Sequence, residues 1–446
     1  MRAEVVIVGA GPAGLAAAVR LAEAGHQVRV IARGNGFTHW GAGAVDVLAR
    51  LPAGAEAEAV VERPLEAIGR LPEQHPYRLL GAGTVRDGLD WFRRFAATAG
   101  LEHLGDPERN QRQVTAFGTF RTTCLLPGPA AGAAALTEGA RVAVLGFGGF
   151  RDFSPSLCAL GLQRAGIDAR PRTVALPDWS HQRSFTAIEL AQAIDGEDFR
   201  RQLAARIADA AASADTDLVV VPAVLGRREG HGPWADLERR TGLRLVEAAL
   251  APPSIPGLRL FDAYRARLRQ LGVRWQFGFP AIGVERDGDT HAARVTAVRS
   301  EGASRVIVTR CEQLVLATGG VAGHGIEAHR DGSLAEAVAG LPVAGYKHRM
   351  DFLAERFLDA HPLGAAGVPV DAELRPLHTI EPASPVYENV RCAGGLLASH
   401  DPTVEGSREG VALACAARLA EVLAPASAPA AAPTGSSSSP GSGSGG

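Results

Sequence analysis

Lysine is almost missing from this 446-residue chain. Lys347 is the only one, and arginine carries the rest of the positive charge. That bias, with abundant alanine and glycine, points to genome composition rather than to a partner. The formal net charge is -2, so there is neither a basic stripe for nucleic acid nor an acidic tail. No nucleic-acid partner is expected. Cysteine is scarce too: Cys124, Cys158, Cys311, Cys392 and Cys415. None forms a C-x-x-C pair, which argues against an iron–sulfur or zinc site made by this chain alone, and no metal site is expected. Such sparse, unpaired cysteines suit a reducing compartment. No run approaches the ~20 apolar residues of a membrane span. The first apolar run starts at once and carries Glu4, unlike a signal peptide. Any membrane contact is therefore expected to be peripheral or through a partner.

What is present is a large apolar fraction, 46% of residues, in a chain long enough for two domains. "EVVIVG" (4–9) is a short β-branched run without alternation, as in a strand buried on both faces of a parallel sheet. "PAGLAAAVRLAEAG" follows with helical spacing, and "HQVRVIA" reads as a second strand. Further buried strands are expected in "RVAVLGFGGF" (141–150), ahead of a helix over 155–166, and in "DLVVVPAVLG" (217–226). Residues 75–81 and 106–129 read as loops and short strands. Residues 285–310 alternate like an antiparallel meander with a D-G turn at 287–288. "QLVLATGG" (313–320) is another buried strand, and 389–424 holds a last strand, turn and helix. Beyond Pro425 only Pro, Ala, Gly, Ser and Thr434 follow, a composition expected to be disordered.

"GAGPAG" places Gly9, Gly11 and Gly14 in the G-x-G-x-x-G spacing between a buried strand and a helix. Gly9 permits the tight turn. Gly11 lets the backbone approach a phosphate, and Gly14 lets the helix pack on the strand. A dinucleotide fold then offers an acid to a ribose at the end of its second strand. This chain has Ala32 there, followed by Arg33. Arg33 could bind a phosphate, as in NADP-binding folds, or the adenosine half is absent, or Arg33 is simply an exposed charge.

"THWGAGAVDVL" comes next. Flavoproteins of the succinate-dehydrogenase type place a small-residue turn here, and Gly41, Ala42, Gly43 and Ala44 meet that demand. A backbone N–H near a flavin ring stabilises its reduced, negative form. His39 could add a proton donor or a positive charge, or could be a packed polar residue. Thr318 and Gly319 lie in "VLATGG", which resembles the strand closing the first half of flavin-binding domains. Gly394 and Gly395 lie in "NVRCAGG", where such domains usually end on an acid that meets the ribityl chain. Gly395 is thus a second missing acid. The following helix sits where these folds aim an N-terminus at the flavin.

With these pieces placed, the chain resembles the B-subunit family of anaerobic glycerol-3-phosphate dehydrogenase. The resemblance runs from residue 1 to about 424. It rests on "ARGNGFTHWGAGAVDVL", "VTAFGTFRTTCLLPGP", "VAVLGFGGFRDFSPSLCALGL", "LAPPSIPGLRL" and "ATGGVAGHGIEAHRDG". It implies an α/β, Rossmann-like flavin-binding domain of the succinate-dehydrogenase/glutathione-reductase type with an inserted second α/β domain. The expected division is 1–50, 277–330 and 366–424 for the flavin domain, 51–276 and 331–365 for the insertion, and 425–446 for the tail. It implies FMN as cofactor, with FAD as the alternative. Two partners are implied: the A subunit, an FAD-dependent dehydrogenase, and the C subunit, an iron–sulfur protein that anchors the assembly to the membrane. Together they would oxidise sn-glycerol 3-phosphate to dihydroxyacetone phosphate and pass electrons to menaquinone at the cytoplasmic membrane face. The two missing acids agree with FMN, which needs phosphate contacts but no adenosine ribose partner.

If this chain removed hydride itself, it would need a base for a hydroxyl and cations for a phosphate. His39 or His75 could be the base, and Arg121 and Arg259 the clamps. The alternative role is electron transfer alone, which needs no substrate base. Two other classes stay open. One is a standalone FAD- or NAD(P)H-dependent oxidoreductase, and the other a non-catalytic assembly component.

Overall fold

The computed structural model describes residues 1–424 apart from 53–59, 178, 180–183, 229, 289–292, 347–351, 358 and 379–383. The expected disordered tail and the D-G turn's far side lie outside the described residues.

Five parallel strands form the first sheet, in the order Arg274–Phe277, Val28–Ala32, Val5–Val8, Gln313–Leu316 and Val390–Cys392. Val5, Val6 and Ile7 have no exposed surface, which is why this strand shows no polar alternation. Helix Pro12–Glu23 covers the sheet and packs against the last helix, Arg408–Val422. Helix Ala82–Thr98 packs on that last helix in turn. Gly88 permits the approach, since a Cβ there would lie 2.6 Å from the Leu413 carbonyl oxygen.

The second sheet is also parallel, in the order Arg244–Ala248, Leu218–Pro222, Arg141–Phe147 and Asp168–Val174. It has its own hydrophobic core, drawn from residues 114–258. Buried side chains of residues 61–101 join the core of the first sheet instead. Helix Ile255–Gln270 ties the two together: Ile255 and Leu258 enter the second core, and Phe261, Tyr264 and Leu268 enter the first. The expected meander is present as Ala281–Asp287, Arg294–Glu301 and Val306–Arg310, paired antiparallel. The α/β architecture therefore contains the expected N-terminal strand–helix–strand unit and a separate second α/β layer.

Residues 75–81 differ from the loop expected there. Pro76–Leu80 is a short helix, started by proline at its first position and capped by His75, whose Nδ1 accepts from the Tyr77 N–H at 3.1 Å. Residues 106–129 do hold the expected short strands, with Gln111–Val114 and Phe120–Thr123 paired as a hairpin.

Candidate functional site

Three glycine-bearing turns meet at the carboxyl ends of the first sheet's strands, the usual ligand position in open parallel sheets. Gly9 has φ +118, and a Cβ there would lie 2.2 Å from the Ala317 carbonyl oxygen, so it presses on the 317–319 turn. A Cβ on Gly14 would meet the Gly9 carbonyl oxygen at 2.1 Å. Gly394 lies against Ala13, and Gly395 against Gly319 and Gly320. Gly9, Gly14, Thr318, Gly319, Gly394 and Gly395 are therefore brought together.

Gly11 is different. A Cβ there would meet nothing within 4 Å. Gly11 is also the N-cap of helix Pro12–Glu23 and supplies no side-chain cap. The backbone N–H groups of Gly11, Ala13 and Gly14 meet no acceptor among the described residues. Open space on the Cα side of Gly11, at a positive helix end with uncapped N–H groups, is a setting that suits a phosphate.

The 37–45 segment forms the next wall. Gly41, Gly43 and Ala44 line a small cleft of about 30 Å³ together with Pro12, Thr38, Phe92, Tyr264 and Glu409. Ala42 is half-buried beside them but does not line it. The start of helix Ile255–Gln270 holds this turn in place. Pro256 would lie 2.6 Å from a Cβ on Gly43, which has φ +78. The Gly43 carbonyl lies 2.7 Å from Nε2 of the buried His103. Thr38 is buried, and its Oγ1 has no hydrogen-bond partner. The Thr318 Oγ1 is likewise buried and unpartnered. Orphaned hydroxyls of this kind call for a polar ligand.

Glu409 stands in the first turn of the last helix, on the cleft wall. Burial pushes its carboxyl up to about 7, helped by the neighbouring Asp46 and opposed by Arg408 and Arg121. Sequence reasoning missed it, because an acid in a helix's first turn is ordinary. The hydrogen bond from the Gly410 N–H to the Asp46 carbonyl, 2.8 Å, ties the two segments together.

The other expected residues fall elsewhere. Arg33 is exposed and makes no hydrogen bond or ion pair among the described residues. Ala32 is buried, and its carbonyl accepts from the Gly278 and Phe279 N–H groups. His39 packs edge-on against Trp40 and Phe261, with centroids 4.9 and 5.3 Å away, outside the cleft lining. Burial lowers its pKa, although Asp262 opposes this. Arg121 pairs with Asp46 and also donates to the Gln113 side chain at 3.0 Å.

Two expectations need correction. His75 is fully buried, with Nδ1 accepting from Tyr77 and Nε2 lying 3.1 Å from Glu405. These partners fix one tautomer and leave no nitrogen for a substrate. Arg259 is also buried. It makes a two-pronged pair with Glu247, both contacts 2.9 Å, and donates to the Gly226 carbonyl at 2.8 Å. Its fork is fully used, so it is a structural residue of the second core.

Residues 4–411 match the family described as an FAD binding domain. The probable B subunit of anaerobic glycerol-3-phosphate dehydrogenase from Halobacterium salinarum is 32% identical over 425 residues, which is 93% of this chain and 96% of that protein. The B subunit of anaerobic glycerol-3-phosphate dehydrogenase from Yersinia pestis is 31% identical over 431 residues, 94% of this chain and 98% of its own. The chain belongs to this B-subunit family. Among solved structures, 3-ketosteroid Δ1-dehydrogenase of Sterolibacterium denitrificans is 11% identical with a TM-score of 0.45, covering 95% of this chain and 99% of that one. So distant an overlap adds nothing to the family assignment. The chain is a flavoprotein dehydrogenase component of the FAD-binding-domain type. The phosphate donors at Gly11–Gly14, the small-residue turn at 41–44 and the orphaned Thr38 and Thr318 hydroxyls fit a flavin. Among the described residues no group of metal ligands is found, and no helix is long and apolar enough to cross a membrane.

Proposed function

We propose that this chain is the electron-relaying flavin component of a complex that oxidises sn-glycerol 3-phosphate to dihydroxyacetone phosphate. One observation carries the relay role. The cleft is lined by small and apolar residues, by Thr38 and Tyr264, and by one carboxyl, Glu409, with no arginine or histidine in the lining. A phosphate ester would meet a carboxyl there and no cation fork. The substrate chemistry then belongs to an FAD-dependent partner. An iron–sulfur partner would carry electrons onward to menaquinone and hold the assembly at the cytoplasmic membrane face. The names of the relatives, each a B subunit, support membership of such a complex.

A bound flavin supplies a two-electron carrier. The chain's own residues do the rest. The N–H groups of Gly11, Ala13 and Gly14 hold the phosphate. Gly41, Gly43 and Ala44 let a ring lie against the backbone, and Thr38 offers a hydroxyl to its polar edge. FMN is the flavin we favour. Ala32 offers no acid to an adenosine ribose. Gly36 also sits on the glycine turn, where its Cβ would lie 2.3 Å from the Gly11 Cα.

Two measurements test this reading. Chromatography of the flavin released from purified protein should give FMN, and stoichiometric FAD would reject that choice. The chain alone should not be reduced by sn-glycerol 3-phosphate, whereas the chain copurified with its partners should. Reduction of the isolated chain by the substrate would end the relay role.

A further inference from the structure

The relay reading leaves one cleft group without a task. Glu409 lines the cleft, and among the described residues its carboxyl has no side-chain hydrogen-bond or ion-pair partner, only its own backbone N–H. Its nearest like charge is Asp46, whose Oδ2 is held by Arg121 while its Oδ1 is buried and unpartnered. Thr38 lines the same cleft, and its Oγ1 is buried without a hydrogen-bond partner. A carboxyl placed so has a free proton site at the point where charge would arrive.

We propose that Glu409 is the proton-exchanging group of the cleft. When an electron pair enters the site, one proton moves from solvent onto the Glu409 carboxylate and gives the neutral acid. When the pair leaves, that proton returns to solvent. The inference rests on the cleft being the flavin site. The physical cause is simple: added negative charge beside a poorly solvated carboxylate favours its protonated form. Before the pair arrives, burial and Asp46 already hold this carboxyl near 7, so a small change in the field is enough to move it.

The groups facing Glu409 are few. Asp46 raises its proton affinity, and Arg121 and Arg408 lower it. Arg408 lies over the Phe37 ring, 3.6 Å from its centroid, and is not part of the cleft lining. Tyr77, from the short helix beneath, is committed to the Val47 and Ser407 carbonyls at 2.6 and 3.3 Å. Tyr264, across the cleft, is pushed far above its usual range by burial and stays neutral. Helices Pro12–Glu23 and Ala82–Thr98 present only Pro12 and Phe92.

Potentiometric titration of the flavin-loaded full chain at several pH values reads protons taken up per electron pair. Below about pH 7 Glu409 is already neutral and takes none; above it, the carboxylate is available. The unaltered protein should therefore gain one proton per electron pair as pH rises through that point. Glu409→Gln should not, and Asp46→Asn should move the gain to lower pH. The same gain at the same pH in Glu409→Gln overturns the proposal. Infrared difference spectra of the unaltered protein avoid dependence on the variant's folding. Above pH 7, reduction should raise a carboxyl band that shifts when glutamate carries ¹³C, and no labelled band would overturn it. The underlying reading fails in a different way. If Gly11→Val and Glu409→Gln both leave flavin affinity unchanged, the cleft is not the flavin site and the proposal falls with it. If Gly11→Val weakens the flavin while Glu409→Gln keeps the pH profile, only the proton role falls.

Discussion

The two parallel sheets use the same grammar for different ends. Each has a buried strand running through glycines into a helix, "VVIVGAGPAG" in one and "VAVLGFGG" in the other. In the second sheet the following helix, Pro155–Arg164, is capped by Ser154, whose Oγ accepts from the Leu157 N–H at 3.3 Å. Helices Ala187–Asp195 and Ile255–Gln270 are capped likewise by Thr186 and Ser254. In the first sheet, helix Pro12–Glu23 has no side-chain cap. Neither has helix Arg408–Val422, because the Ser407 hydroxyl is spent on Glu405 at 3.0 Å. Three helix ends around the second sheet are thus satisfied by a neighbouring hydroxyl, although Glu197–Ala212 and Gly232–Thr241 there have no side-chain cap. At the cleft neither helix end has a side-chain cap, which leaves backbone N–H groups there open to a ligand.

That contrast can be broken at its strongest point first. Glu247→Gln leaves the buried Arg259 charge without its partner and should cost about 3–5 kcal/mol. Denaturant unfolding should show the loss, while flavin bound per folded molecule stays unchanged, since the pair belongs to the second core. Acid should weaken both regions next. Burial holds His400, on the first sheet's side, down to about 4, and His231, beside the second, down to about 3. The unfolded chain therefore takes up protons first. Stability is full above about pH 6.5 and falls as pH drops toward these values, by about 3 kcal/mol for His400 at the linkage constant of 1.36 kcal/mol per unit. His400→Asn should flatten that part of the pH–stability curve in thermal melts. Ser154→Ala has the smallest effect. It should cost about 1 kcal/mol in chemical unfolding and leave the flavin in place.

Much of the first sheet was readable from the chain, because a doubly buried strand, a glycine turn and an uncapped helix all lie within residues 4–32. The closing strand at 313–316 and the last helix were readable for the same reason. Helices Ala82–Thr98 and Ile255–Gln270 were not, because their apolar faces serve neighbours distant in sequence. Arg274–Phe277 gave no sign that it would pair parallel with Val28–Ala32, since side-chain pattern does not encode strand direction. The site divides in the same way. Gly9, Gly11 and Gly14 act through backbone geometry that their spacing encodes. Arg259 looked like a phosphate clamp because its partner Glu247 comes from another element. Glu409 drew no notice because only packing against Asp46 gives it a role. The division of the chain into domains is a proposal still, and the cores argue for moving residues 61–101 to the flavin side.

The central claim is that Gly11, unlike the packed Gly9 and Gly14, is kept open for a ligand. Gly11→Ala tests it most directly, since the added methyl meets no protein atom within 4 Å and the residue's φ of -78 suits alanine. Flavin affinity and unfolding free energy would be measured on the same preparation. The account predicts a clear loss of flavin affinity with stability of the flavin-free protein changed by no more than about 1 kcal/mol. Unchanged flavin affinity in a folded Gly11→Ala protein would contradict it.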